Sequence, residues 1–376
     1  MMTPIKMVDL KRQYLRLKEE LDTAIQRVLD SAEFIQGSLV SEFEESLSEY
    51  TGSKHVISCG NGTDALYAAL MALGVGPGDE VITVPFTFIS TVEVIALTGA
   101  RPVFVDVCEE SFNMDVRQLE KAITSKTKAI IPVHLYGQCA DMEPLLSIAK
   151  KHNISVIEDA CQAIGAEYTF SDGTRRQAGT MGTVGCTSFF PSKNLGCYGD
   201  GGALMTDDDL LAEKLRAICR HGSTERYRHR YVGLNSRLDT LQAAVLKVKL
   251  GHLDEFIAAR RTAAAFYDQA LQQVKAVQLP VTSSYSTHTF HQYTLKVDAA
   301  RRDVLRKHLS DCQIPTAVYY PVPAHLQDAY RHLGYREGDF PVSERLCGEV
   351  LSLPMHTELT AEQLQYIIQT IVNCPL

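Results

Sequence analysis

The feature that most constrains the fold is an alternation over residues 55–206 between short β-branched or apolar runs and longer segments with helical periodicity. Segments such as 65–71 and 142–149 place apolar residues on one helical face. Strand-like runs lie at residues 55–58, 81–84, 103–106, 129–133, 154–157, 186–190 and 203–206. The alternation predicts an α/β fold whose mostly parallel, seven-stranded sheet is covered by helices on both faces.

Two stretches flank this alternation, and the C-terminal one indicates a second, smaller domain. Residues 8–30 predict one amphipathic N-terminal helix, with apolar residues spaced by threes and fours at Leu10, Tyr14, Leu17, Leu21, Ile25 and Leu29. After about residue 240 a long helical stretch precedes a strand-like run at 290–297, followed by helix, strand and helix patterns. We therefore predict a large domain over residues 1–245 and a C-terminal α+β domain over residues 246–376.

Composition excludes several classes of protein. The 376 residues carry a net charge of −8 and are 45% hydrophobic, which is typical of a globular protein and argues against general binding of nucleic acid or anionic membranes. No apolar run approaches the roughly 18 residues of a membrane helix, so we predict a cytoplasmic protein. The ten cysteines form no C-x-x-C pair and no short metal-ligand cluster, which favours reduced packing residues and no metal site.

The strongest local signal is a lysine loop. In residues 188–202, SFFPSKNLGCYGDGG, Lys193 follows an apolar strand and precedes four glycines. Glycines let the backbone approach a ligand closely, and a lysine that loses solvation there has a lowered pKa. Lys193 is therefore a candidate Schiff-base nucleophile; the alternative is an ordinary surface lysine in a turn.

Two carboxylates, Glu158 and Asp159, end the run at 154–157, at the sheet edge where α/β proteins bind ligands. Asp159 is placed to face a cationic ring nitrogen, and Gln162, one helical turn further on, to bind a phenolic oxygen. The alternative for Asp159 is that it only caps a following helix.

A glycine-containing turn at residues 60–66, GNGTDAL, leads from a strand into a helix. Free amides and the helix dipole make such a turn an anion site, and phosphate is its usual guest, although a plain helix start has the same pattern. A phosphate cradle, an acid for a ring nitrogen and a lysine for an aldehyde are together the requirements of pyridoxal 5′-phosphate (PLP).

With these motifs in this order, and with NSRLD at residues 235–239, the chain resembles the DegT/StrS sugar aminotransferases, which are fold type I PLP enzymes. The resemblance extends from about residue 5 to near the C-terminus. It implies that Lys193 binds the PLP aldehyde and shuttles the proton, that Asp159 pairs with the pyridine nitrogen, and that Gln162 contacts the ring hydroxyl.

The resemblance also implies further cofactor contacts and a homodimer. Gly62, Thr63 and Ser188 match the residues that hold the phosphate, and Phe88 matches an aromatic that stacks on the ring. Asn235 matches a residue that reaches the neighbouring subunit's PLP phosphate, so that active sites are shared within the dimer.

A basic segment at residues 220–231 locally reverses the sign of the net charge. Such a segment is commonly a solvated face; alternatively, its arginines bind a nucleotide diphosphate or a sugar carboxylate. The candidate substrate-side residues in and after it are His221, Arg228, Arg237, Tyr319, Tyr320 and His325.

Within the family, the segment and its continuation are most similar to enzymes that aminate the 3-keto position of UDP-N-acetylglucosaminuronate for O-antigen assembly. This implies L-glutamate as donor, a UDP-linked 3-keto glucuronate as acceptor, PMP between the half-reactions, and Arg237 at the uronate carboxylate. Tyr319 stands where those relatives tend to have histidine.

Three alternatives stay open from the sequence. One is amination of a 4-keto-6-deoxy nucleotide sugar, and another is a regulatory member without catalysis. The third is a PLP- or PMP-dependent sugar dehydratase, in which histidine replaces the lysine, and Lys193 argues against it.

Overall fold

The computed structural model of the chain describes residues 4–375. The strands are β1 (His55–Cys59), β2 (Glu80–Thr83), β3 (Arg101–Phe104), β4 (Thr127–Ile130), β5 (Ser155–Asp159), β6 (Glu167–Thr169), β7 (Arg175–Gln177), β8 (Val184–Ser188), β9 (Gly202–Thr206), β10 (Ser223–Glu225), β11 (Arg228–His229), β12 (Val277–Gln278), β13 (Tyr293–Val297) and β14 (Val350–Leu353). The helices are α1 (Leu10–Arg16), α2 (Lys18–Ser31), α3 (Ser38–Thr51), α4 (Gly62–Ala72), α5 (Ser90–Leu97), α6 (Val116–Ala122), α7 (Met142–His152), α8 (Asp209–Ile218), α9 (Thr240–Leu250), α10 (Leu253–Leu271), α11 (Ala299–Asp311), α12 (Pro341–Glu349) and α13 (Ala361–Val372).

The central sheet has seven strands in the order β1-β9-β8-β5-β4-β2-β3. Only β9 runs antiparallel to its neighbours, β1 and β8, and the other pairs are parallel. The predicted seven-stranded, mostly parallel sheet is confirmed, and each of the seven predicted runs overlaps one of its strands.

Both faces of this sheet are buried because the side chains of each strand alternate between two cores. In β2, for example, Val81 packs with Leu66 of α4 on one face, and Ile82 packs with Leu145 of α7 on the other. All four side chains are inaccessible to solvent. Strands buried on both faces explain the continuous apolar runs in the sequence.

The C-terminal part builds a second core around the antiparallel sheet β12-β13-β14 and the helices α11 and α13. Helix α10 serves both cores, since Ile257 packs with the large-sheet cluster and Tyr267 with the small-sheet cluster. Residue 245 lies inside α9, so the division into 1–245 and 246–376 passes through a helix and stays a prediction.

The predicted single helix at residues 8–30 is wrong in one respect: α1 and α2 are separate helices that meet at Leu17. The backbone of Leu17 leaves the helical conformation there, while its side chain and that of Leu21 are buried against α9 and α10. Among residues 4–375, none of the helices is both long and apolar enough to cross a membrane.

Candidate active site

The residues singled out by the sequence lie at one edge of the central sheet. Asp159 is the last residue of β5, Ser188 is the last residue of β8, and Phe88 follows β2. Helix α4 begins directly after β1, which is parallel to β8 through two antiparallel pairings with β9. All of these positions are at the carboxyl ends of parallel strands, where open α/β sheets bind ligands.

Lys193 lies in the connection between β8 and β9 and is half-buried. The loop closes on itself, since the amide of Lys193 donates to the Phe190 carbonyl at 2.8 Å and the amide of Cys197 donates to the Phe189 carbonyl at 2.8 Å. Within residues 4–375 the Nζ atom has no hydrogen-bond partner. Desolvation lowers the pKa of Lys193, and the nearby charge of Asp159 acts in the opposite direction. The environment therefore makes the neutral, nucleophilic amine easier to reach than it is for a lysine in water.

Asp159 is buried and oriented by two donors. Its Oδ2 accepts from the hydroxyl of Thr91 at 2.7 Å, and its Oδ1 accepts from the amide of Cys161 at 3.2 Å. Thr91 lies 3.0 Å from the hydroxyl of Thr87, and since the Thr91 proton is given to Asp159, Thr87 is the donor of this pair. Two threonines that the sequence analysis missed thus hold the carboxylate in place.

Gln162 connects two aromatic residues at the same edge. Its Oε1 accepts from the amide of Tyr136 at 2.8 Å, and its Nε2 donates to the hydroxyl of Tyr320 at 3.0 Å. The ring of Tyr320 lies 6.2 Å from that of Phe88, which is 54% exposed. Phe88 therefore offers an open aromatic face beside Tyr320, as stacking on a planar ligand requires.

The start of α4 forms a cradle with β8. Asn61 caps the helix by accepting from the amide of Asp64 at 2.8 Å, and the amides of Gly62 and Thr63 have no acceptor within residues 4–375. A Cβ on Gly62 would lie 2.7 Å from Cβ of Ser188, closer than such atoms approach in proteins. Glycine thus keeps open a space that free amides and a hydroxyl border, the arrangement that binds phosphate.

The segment that contains Asn235 and Arg237 is attached to this cradle through Ser236. The Ser236 hydroxyl accepts from the amide of Gly60 at 2.9 Å and donates to Asp64 at 2.7 Å. Asn235 is exposed and Arg237 is half-buried. Both residues therefore lie close to the start of α4, with Asn235 open to the surface.

The other substrate-side candidates separate into two groups. Tyr320 joins Gln162 directly, and the carbonyl of Tyr319 accepts from the hydroxyl of Tyr136. His221 and Arg228 are exposed, Arg228 on β11 of the hairpin that β10 and β11 form.

His325 is not brought to the Lys193 loop. It is 1% exposed, packs against Phe104 and Phe340, and donates from Nε2 to Oε1 of Glu344 at 3.0 Å. Its neighbours are the side chains of a satellite core beside β3, so its surroundings are those of a packing residue. His325 was a candidate because it belongs to the same motif as Tyr319 and Tyr320, and in the structure its ring contacts are with this satellite core.

His291 is a further residue of the site that the sequence analysis treated only as part of a strand. It is buried, and its Nδ1 has no partner within residues 4–375. Desolvation lowers the pKa of His291 well below its usual range, and the positive charges of Lys193 and Arg260 lower it further. His291 is therefore a buried imidazole close enough to Lys193 for their positive charges to repel.

These residues fit PLP. The cradle at Gly62 suits a phosphate, the carboxylate of Asp159 suits a protonated pyridine nitrogen, and Lys193 has an amine without a partner for the aldehyde. The sheet order and this edge define a fold type I PLP-dependent transferase. The chain belongs to the DegT/DnrJ/EryC1/StrS aminotransferase family, whose profile matches residues 15–372.

Comparisons with known proteins agree with this assignment. The chain is 50% identical to a pleiotropic regulatory protein of Geobacillus stearothermophilus, over 98% of both chains. It is 47% identical to the UDP-2-acetamido-2-deoxy-3-oxo-D-glucuronate aminotransferase of Pseudomonas aeruginosa, over 98% of this chain and 100% of the relative. The structure of NtdA from Bacillus subtilis with bound cofactor PMP superimposes with a TM-score of 0.91 at 30% identity, covering 100% of this chain and 86% of that one. The protein is a sugar aminotransferase.

Proposed function

We propose that this aminotransferase uses PLP to move an amino group from L-glutamate to C3 of UDP-2-acetamido-2-deoxy-3-keto-glucuronate. The product would serve O-antigen or other surface polysaccharide synthesis in the cytoplasm. The observation that carries the proposal is the convergence of Lys193, Asp159 and Gln162 on the cradle at Gly62. The 47% identity to an aminotransferase for this sugar supports the choice of acceptor.

In this proposal each part of the cofactor is bound by side chains or amides whose chemistry suits it. Gly62, Thr63 and Ser188 hold the phosphate, and Phe88 covers one face of the ring. Asn235 of a second copy completes the phosphate site. When bound, PLP supplies an electron sink that stabilises the carbanion formed at the amino-bearing carbon.

The chain's own residues provide the proton transfer. Lys193, when its Nζ is free, takes the proton from Cα of glutamate and later delivers a proton to the sugar carbon, so one base serves both half-reactions. Its lowered pKa keeps a fraction of the amine neutral for this purpose. Asp159, fixed by Thr91, stays aimed at the ring nitrogen.

The proposed acceptor carries two anionic groups, a diphosphate and a uronate carboxylate, and each is expected to bind cationic side chains. Arg237 lies beside the cradle, and His221 and Arg228 lie on the exposed basic segment. Planar guanidinium groups bind carboxylate and phosphate through two parallel hydrogen bonds. We assign Arg237 to the carboxylate, His221 and Arg228 to the diphosphate, and Tyr319 and Tyr320 to the sugar ring.

A homodimer with shared sites is part of this proposal. Large apolar side chains near the site are exposed, namely Phe34, Ile35, Phe88, Phe190 and Val232. Co-expression of Lys193→Ala and Asn235→Ala chains tests the sharing, because half of randomly paired dimers then contain one intact site. We expect about a quarter of the wild-type activity. No gain over the two separate variants would contradict sharing.

The cofactor assignment is tested by loading the purified protein with PLP. We expect visible absorbance that borohydride bleaches, and a mass increase on the peptide that contains Lys193. Lys193→Ala should lose both, while the exposed control Lys150→Ala keeps them. A colourless wild-type protein that gains no mass would overturn the proposal.

The acceptor is tested with glutamate and a panel of keto sugars. Turnover of the UDP-linked 3-keto glucuronate, and none of 4-keto-6-deoxy sugars, is the expected result. Turnover of only a 4-keto sugar would reject the proposed acceptor and leave the aminotransferase intact.

A regulatory role is a second candidate, favoured by the 50% identity to a protein named for regulation. It predicts that Lys193→Ala retains the biological effect of the wild-type chain. Loss of that effect in Lys193→Ala would reject regulation without catalysis.

A further inference from the structure

Lys249 is a buried lysine outside the cofactor cradle. It lies near the end of α9 and is 1% exposed. Its Nζ donates to the carbonyl of Gly196 at 2.7 Å and lies 4.3 Å from the centre of the Tyr198 ring. Within residues 4–375 this ammonium forms no ion pair with a carboxylate.

A buried ammonium without a carboxylate partner is costly, because one carbonyl and one aromatic face replace only part of its hydration. Desolvation accordingly lowers the pKa of Lys249 to about 8, so in most molecules the Lys249 amine is still charged at pH 7. An apolar side chain such as methionine would fill the same volume without this cost. The fold therefore keeps the charge where stability alone would favour losing it.

The two contacts of Lys249 are both made to the loop that carries Lys193. Gly196 is at its tightest point, since a Cβ there would lie 2.4 Å from the carbonyl oxygen of Pro191. Gln242, also on α9, accepts from the amide of Tyr198 at 2.8 Å. Helix α9 thus holds the loop through two side chains, of which only Lys249 is charged.

We propose that Lys249 is a positioning residue for Lys193. Lys249 fixes the loop from Phe189 to Gly199 by binding the Gly196 carbonyl beside the Tyr198 ring. This inference rests on the proposed role of Lys193. Lys249 touches neither substrate nor cofactor in it, and acts only through the backbone of the loop.

The test compares Lys249→Met with Lys249→Arg, which keeps the charge, and with Lys247→Met on the same helix. Lys247 pairs with Glu42 at the surface and does not contact the loop. Hydrogen exchange of peptides from residues 189–199 is measured in the apoprotein, and the rate of PLP attachment to Lys193 is then followed by borohydride trapping and mass spectrometry.

In Lys249→Met we expect loop amides to exchange about tenfold faster, which is the loss of one hydrogen bond to a charged donor. PLP attachment and kcat should fall by a similar factor, with KM for the sugar unchanged. Lys249→Arg should recover part of both, and Lys247→Met should match the wild type. If Lys249→Met does not fold, Tyr198→Leu removes the ring contact and replaces it in the test.

Unchanged exchange of the loop in Lys249→Met, or faster exchange spread evenly over the large sheet, overturns the positioning role. The first result means that the loop does not need the contact, and the second means that Lys249 is a general stability residue. Failure of the wild-type chain to attach PLP would instead refute the proposed function. The exchange measurement, which uses no cofactor, would still decide whether Lys249 fixes the loop.

Discussion

His134 donates from Nε2 to Oε2 of Glu158 at 2.8 Å, and both side chains are inaccessible to solvent. The direction of the bond follows from the other ring nitrogen, because Nδ1 of His134 accepts from the amide of Ala140 at 3.0 Å. Glu158 also accepts from the amides of Gly179 and Met181. The residue next to Asp159 therefore anchors the turn before β8 on the opposite face of the sheet.

Replacing Glu158 with alanine should destabilise the protein by about 3 kcal/mol or more, since it leaves buried amides and an imidazole without an acceptor. Chemical denaturation measures the loss. The exposed control Glu337→Ala should change stability by no more than about 0.5 kcal/mol. Equal stability of the two variants would mean that water replaces the carboxylate.

Thr91→Val should weaken PLP binding and lower kcat, each by about tenfold, because Asp159 loses the hydroxyl that orients Oδ2. Absorbance titration and steady-state kinetics give the two values. Thr98→Val removes a hydroxyl at the end of the same helix that donates to the Ile95 carbonyl and accepts from the amide of Ala100, and since neither contact involves Asp159 both values should stay unchanged. Wild-type PLP affinity in Thr91→Val would show that the other Asp159 contacts suffice.

Gly62→Ala should reduce PLP affinity by more than about tenfold, because its methyl group would occupy the phosphate cradle. Pyridoxal, which lacks the phosphate, should bind the variant and the wild type with similar affinity. Gly348→Ala is the control. Gly348 lies in α12, and its added Cβ would be at an ordinary contact distance of 3.5 Å from Ala299, so the substitution should stabilise α12 by about 1 kcal/mol. An equal loss for both ligands in Gly62→Ala would argue against a phosphate at α4.

The stability difference between wild type and Lys249→Met should change with pH. In the folded chain the pKa of Lys249 is about 8 and in the unfolded chain it returns to about 10.5, so between these values the unfolded chain binds more protons. The free energy of unfolding of the wild type should therefore rise relative to the variant by about 2 kcal/mol from pH 7 to pH 10. Denaturation curves at the two pH values measure it, and a constant difference would contradict the lowered pKa.

The sheet was predictable because a short β-branched or apolar run overlaps each of its seven strands, and the site edge followed from where the runs end. The apolar run before Glu158 and Asp159 does not by itself show which of the two carboxylates points toward the site. Adjacent residues of a strand point to opposite faces of the sheet, and only the strand register decides which face each one takes. Thr91 and Lys249 were missed for a different reason. Each is one of several polar residues in its helix, and nothing local marks it out because its partner lies 68 or 53 residues away.

Two expectations differ from the structure because they rested on neighbouring residues in the sequence. The periodicity at residues 8–30 continues across Leu17 because the side chains on both sides of the break face one core. His325 was a substrate-side candidate because it shares a motif with Tyr319 and Tyr320, whereas its side chain packs in the aromatic cluster around Phe104.

The antiparallel direction of β9 affects how the site is acquired during folding. Ser188 and Gly202 are paired across a hairpin, so the loop that carries Lys193 closes by a contact that is local in the chain. The cradle is completed by Ser236 and Gly60, which are 176 residues apart, and closing that distance is entropically far more demanding. The loop that carries Lys193 can therefore form early in folding. The phosphate site is complete only when the segment that contains Ser236 has packed against the start of α4.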